Sequence, residues 1–145
     1  MFEFNYPATI ERGKEGSFIV RFPDFPEALT FGTTRAEAAH EAVDCLREAL
    51  RGRIQDGEEI PVPSTDVPDA LLVAPPPEIA AKAGVYHAFR RCNLTRVALA
   101  ERMNVGENEV RRILDPTHRT KLERLDEAAR ALGGRIEVRF VNQDD

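Results

Sequence analysis

Three consecutive prolines, Pro75-Pro76-Pro77, stand near the middle of the 145-residue chain, and no regular element runs through such a break. Proline lacks the amide that helices and sheet ladders need, while its fixed φ suits the first turn of a helix. The run therefore predicts two units, residues 1–74 and residues 77–141, the second opening with a helix. Charge divides at the same place. Residues 1–74 hold seven Lys or Arg against fourteen Asp or Glu, for −7, whereas residues 75–145 hold thirteen against eleven, for +2. An acidic unit attracts basic partners and a mildly basic one approaches phosphate, so the two halves are expected to have separate jobs.

In the first unit Phe2, Phe4, Tyr6, Ala8 and Ile10 alternate with polar residues or proline, the pattern of a strand with one buried face. A Gly-containing turn at 12–16 leads to a second strand, Ser17 to Phe22, and hence to a hairpin. Pro23 and Pro26 bracket Asp24 and Phe25 in a stiff loop, and Leu29 to Gly32 is a short third strand. Thr34 and Glu37 have the spacing of a capping box. The helix they open carries Ala39, Ala42, Val43, Leu46, Ala49, Leu50 and Ile54 on one stripe, so it is expected to lie across the sheet, with Gly57 ending it. An extended IPVPS segment follows, then a candidate fourth strand at Leu71 to Ala74.

In the second unit Ile79, Ala83, Tyr86 and Phe89 mark a first helix. Thr95 to Leu114 then reads as two short helices around a tight turn, with Thr95 and Gly106 as caps and Val97, Leu99, Ala100, Val105, Val110, Ile113 and Leu114 on the inner side. This is a helix-turn-helix pattern. Its outward residues are Glu107, Asn108, Arg111 and Arg112. Asn bonds adenine bidentately, Arg does so to guanine, and Glu accepts from cytosine, so these four are candidates for base edges in a major groove. Thr95 and Arg96 at a helix start, and His118, Arg119 and Lys121 after the second helix, are candidates for the phosphate backbone. A further helix through Leu122, Leu125, Ala128, Ala129 and Leu132 stops at Gly133-Gly134. Ile136, Val138 and Phe140 then alternate with charged residues as a last strand, whose unpaired edge invites a second copy and a dimer.

Much else is excluded or unsupported. No apolar run spans a bilayer, and the first residues lack the basic and apolar regions of a signal peptide, which places the chain in the cytoplasm. Cys45 and Cys92 have no CxxC spacing, and His40, His87 and His118 are scattered, so no metal or cofactor is implied. Ser17 and Ser64 lack a local base or a nucleophile elbow, and no catalytic residue is assigned.

The segment GSFIVRFPDFPEALTFGTTRAEAAHEAVDCLREAL, followed by IPVPS, resembles the antitoxin of HicA–HicB toxin–antitoxin systems, in the subtype with a C-terminal helix-turn-helix. The resemblance implies an α+β protein: a partial ribonuclease H-like sheet with one packed helix, then a helix-turn-helix domain ending in a short strand. It implies binding without turnover. A small basic, mRNA-cleaving HicA-like toxin would be occluded by the first unit, and the operon's promoter repressed by the second as a dimer or higher oligomer. For the toxin, the candidates are Phe22, Asp24 and Phe25 in the stiff loop and the acidic helix face of Glu37, Glu41, Asp44 and Glu48. Phe25 reads equally as an aromatic anchor or as a core residue capping the sheet. Glu3, Glu11, Asp24 and Glu27 do not form a recognisable two-metal site. The rival readings are a ligand-responsive repressor without a toxin and a metal-dependent nuclease carried by the first unit.

Overall fold

The computed structural model describes residues 3–143. Among these, the strands are β1 (Tyr6–Arg12), β2 (Phe18–Phe22), β3 (Phe25–Gly32) and β4 (Leu71–Val73), and the helices α1 (Arg35–Gln55), α2 (Pro77–Cys92), α3 (Arg96–Met103), α4 (Glu107–Leu114) and α5 (Leu122–Ala131). The sheet is antiparallel in the order β3-β2-β1-β4. The chain is thus α+β, a four-strand sheet with a packed helix followed by four helices. None of the helices is long and apolar enough to cross a membrane.

The alternation in the first strand turns Tyr6 and Ala8 into the core beside Val20 and Phe22 of β2 and Val73 of β4, with Phe4 packed against them. Phe2 lies outside the described residues. β3 is longer than Leu29–Gly32, because the predicted loop is a tight turn at 23–24 and pairing resumes at once, Phe22 opposite Phe25. Pro26 is tolerated inside β3 since this strand lies at the sheet edge, where a missing amide need break no ladder.

α1 starts at Thr34, whose hydroxyl accepts the Glu37 amide at 3.0 Å. The Glu37 carboxylate departs from the capping-box expectation and accepts from the Thr33 hydroxyl at 2.7 Å. The buried stripe is Ala38, Ala42, Leu46, Ala49, Leu50 and Ile54, so Ala38 replaces Ala39 in it. Gly32 decides this: it meets the first turn of α1 so closely that a Cβ would lie 2.8 Å from Ala38 Cα.

Among the described residues there are two apolar cores, and α2 belongs to both. Ile79, Ala83 and Tyr86 complete the core of the sheet and α1, while Val85 enters a second core with Leu99, Val110, Ile113, Leu125 and Ala128. The proline run thus precedes a helix shared by the two layers. Val97, expected inside, is about half exposed.

The predicted last strand is absent. Residues 135–141, including Ile136, Val138 and Phe140, form no ladder, because a strand exists only against a partner strand and the sheet found among the described residues lies in the other core. The Ile136 amide instead donates to Asp126 at 2.9 Å, Arg139 pairs with Glu3, and Val138, Phe140 and Val141 stand exposed.

Candidate functional site

The corner made by α3 and α4 is fixed from within. Thr95 accepts the Ala98 amide at 3.0 Å and Gly106 opens α4 in an extended conformation. Between the helices Asn104 takes the left-handed conformation (φ +56°), and its amide closes α3 on the Ala100 and Glu101 carbonyls. Asn is among the few residues with a side chain that reach this region readily. Val110 and Ile113 are fully buried, which turns Glu107, Asn108, Arg111 and Arg112 outward, and all four are exposed. Arg96, His118, Arg119 and Lys121 are exposed as well, the last three on the loop between α4 and α5.

The outward charges are not idle. Arg111 pairs with Glu107 at 3.3 Å one turn earlier, and Arg112 with Glu109 at 3.4 Å. Glu109 also meets Arg124 of α5 at 3.4 Å. Such exposed pairs contribute little to stability, about 0–1 kcal/mol, so the guanidiniums exchange partners easily.

Sequence reasoning missed Lys82. It is 5 % exposed, and its ammonium donates to the Arg112 carbonyl (2.7 Å), the Ile113 carbonyl (2.9 Å) and the Thr120 hydroxyl (2.7 Å). Burial pulls its pKa down to about 8, against the attraction of Asp115 and Glu109. A Lys among apolar positions at helical spacing was the available signal, but it cannot be told from a side chain reaching out to water.

The second candidate surface is acidic. A groove of about 440 Å³ between α1 and the edge strand β3 is lined in part by Glu27, Glu41, Asp44 and Glu48, and beside it a second of about 410 Å³ adds Arg53, Asp56 and Glu58. Arg53 grips Glu27 through two hydrogen bonds, at 2.7 and 2.9 Å, which holds the Glu27 carboxyl below the usual range. Asp44 and Glu48 pair with Arg47 and Arg51 on the same helix. Glu37 is exposed and Glu41 partly so.

Phe22 and Phe25 lie elsewhere than an anchor would. They are 2 % and 0 % exposed, and the Phe25 ring meets Tyr6 edge-on at 4.8 Å with the Arg53 guanidinium over it. Of the two readings of Phe25, the core residue describes its place. Asp24 is half-buried and accepts from the amide and hydroxyl of Ser64, so it ties the turn to the exit segment after α1. Among the described residues, no group of three or more His, Cys, Asp or Glu is placed to hold a metal ion.

A family model described as a HicB-like antitoxin of bacterial toxin–antitoxin systems matches residues 5–84, more than half of the chain. The chain belongs to the HicB antitoxin family. It is 41% identical over 131 residues to antitoxin HicB 1 of Photorhabdus laumondii, covering 90% of this chain and 83% of that one. It is 35% identical over 136 residues to antitoxin HicB of Escherichia coli K12, covering 94% and 99%. A more distant relative, antitoxin HicB of Pseudomonas fluorescens, is 28% identical over 134 residues. The family is one of antitoxins rather than enzymes. Its matched region runs past the proline run into α2, taking in Ile79, Lys82 and Ala83, in keeping with a helix that completes the first core.

Proposed function

We propose that this HicB-family chain neutralises a small, basic, mRNA-cleaving HicA-type toxin by occluding it, and represses its own operon by sequence-specific DNA binding. Residues 1–74, with the sheet and α1, form the toxin-binding unit, which the resemblance likens to part of a ribonuclease H fold. Residues 77–141, with the helices from α2 onward, form the DNA-binding unit. Occlusion needs no chemistry on this side, only a complementary surface. With Phe22 and Phe25 in the core, docking falls to the acidic side of α1, Glu37, Glu41, Asp44 and Glu48, and to the groove it forms with β3.

The observation that carries the DNA half is a short helix, α4, seated on an apolar core with Asn108, Arg111 and Arg112 turned outward. In this reading Glu107, Asn108, Arg111 and Arg112 meet base edges, and Thr95, Arg96, His118, Arg119 and Lys121 lie along the backbone. The segment with Ile136, partly buried, and Val138 and Phe140, exposed, finds its partner in a second copy, so that two α4 helices face two half-sites.

Co-expression tests the toxin half. The small basic protein encoded beside this chain should arrest growth alone and be neutralised by the wild type. The triple variant Glu41→Lys, Asp44→Lys, Glu48→Lys, folded by circular dichroism, should fail to neutralise it. Full neutralisation by that variant would remove the acidic surface from the account.

A further inference from the structure

α4 has an unusual end. It stops at Asp115 in an extended conformation rather than at a left-handed glycine, so its closing turn is a single bond from the Asp115 amide to the Arg112 carbonyl, at 3.2 Å, where a left-handed cap would satisfy more of the last carbonyls. Lys82 adds donors from another helix. Its three protons go to the Arg112 carbonyl, the Ile113 carbonyl and the Thr120 hydroxyl, which together hold both the end of α4 and the loop that follows. A cation also suits the negative end of a helix.

The same helix is tied to the first unit by the same kind of bond. One turn on, the Tyr86 hydroxyl donates to the Glu58 carbonyl at 2.6 Å, and another turn on, Arg90 donates to the Gly57 carbonyl. Both acceptors lie at the exit of α1, whose side chains line the acidic groove. Residues 82, 86 and 90 thus reference the end of α4 to the end of α1 through one rigid helix.

We propose that Lys82 is the positioning residue of the DNA-reading helix: it fixes the angle at which α4 presents Asn108, Arg111 and Arg112, and seats that angle on the toxin-binding layer. This rests on the DNA-binding reading above. Lys82 touches no DNA itself. The charged groups that act on its ammonium are Asp115 of the loop and Glu109 of α4; Glu109 in turn pairs with Arg112 and with Arg124 of α5, and the His118 ring meets the Thr120 hydroxyl at 3.1 Å. When the ammonium loses its proton it keeps only two donors for three acceptors, and the clamp slackens.

The test uses the full-length protein and a fluorescent duplex from the promoter upstream of its own reading frame, with a scrambled duplex as control. Lys82→Met keeps the length of the side chain and removes the donors. It should bind the promoter about tenfold more weakly near neutral pH, which corresponds to one misplaced set of contacts, while its affinity for the co-expressed basic toxin stays within about twofold. Wild-type promoter affinity should fall as pH climbs through about 8, and that of Lys82→Met should not. Equal promoter affinity of the two proteins at every pH overturns the proposal, as does an equal loss of toxin and promoter binding. If Lys82→Met does not fold, Thr120→Val decides: removing one acceptor should weaken promoter binding and shift the pH profile, and no change in either overturns the proposal. A wild type that binds promoter and scrambled duplex alike overturns the DNA-binding reading itself, a separate outcome.

Discussion

Lys82 of α2 donates to the main-chain oxygen of Arg112 in α4 across 2.7 Å, while the Arg112 guanidinium points away into solvent. One residue is thereby held at its backbone from inside, while its exposed tip makes a surface pair with Glu109. That division suits a side chain that must reach a fixed place with a precise direction.

The same burial has a consequence for stability. Lys82 has a folded pKa of about 8 against 10.5 for an unperturbed lysine. Between those values the folded chain has released the proton and the unfolded chain still holds it, so unfolding takes up a proton. Stability contributed through this group therefore rises with pH in that window and is lowest below it. Urea unfolding of wild type and Lys82→Met should show the gap between them moving in the wild type's favour as pH rises above 8. A gap independent of pH contradicts the burial of the charged group.

Phe25 acts through the core. Its ring is fully buried against Tyr6, so Phe25→Ala should cost about 3–5 kcal/mol of unfolding free energy, and Phe25→Leu much less. Toxin neutralisation by Phe25→Leu should be near normal at temperatures where it is folded. A stable Phe25→Leu protein that no longer captures toxin returns the ring to the docking surface.

Gly32 is required by space rather than by φ. A Cβ there would press on the Ala38 amide and lie 2.8 and 2.9 Å from Ala38 Cα and Glu37 C, all backbone atoms that cannot rotate aside. Gly32→Ala should push the start of α1 off β3 and cost about 3 kcal/mol, read as a lower unfolding midpoint. An unchanged midpoint means α1 shifts without cost.

Local chemistry made much of this legible in the sequence. The Thr34 and Thr95 caps, the hairpin and the two short helices of the corner follow from hydrogen-bonding needs that neighbours in sequence satisfy. What was not legible depends on distant partners. Lys82 is read only when the C-terminal end of α4, thirty residues on, comes to meet it. Phe25 lies inward because β3 begins at once after the turn, and Ala38 replaces Ala39 because Gly32 lets α1 sit closer on one side. The alternation from Arg135 to Val141 has the right period for a strand but pairs with no strand among the described residues. Period alone does not supply a partner.

In the proposed function α4 reads DNA sequence from the corner it forms with α3. Titration of wild type and Arg112→Ala against the promoter duplex and a scrambled duplex, at one salt concentration, tests it most directly. Wild type should prefer the promoter, and Arg112→Ala should lose about 1–3 kcal/mol on the promoter with little change on the scrambled duplex. Equal losses on both duplexes, or a wild type without preference, would contradict it.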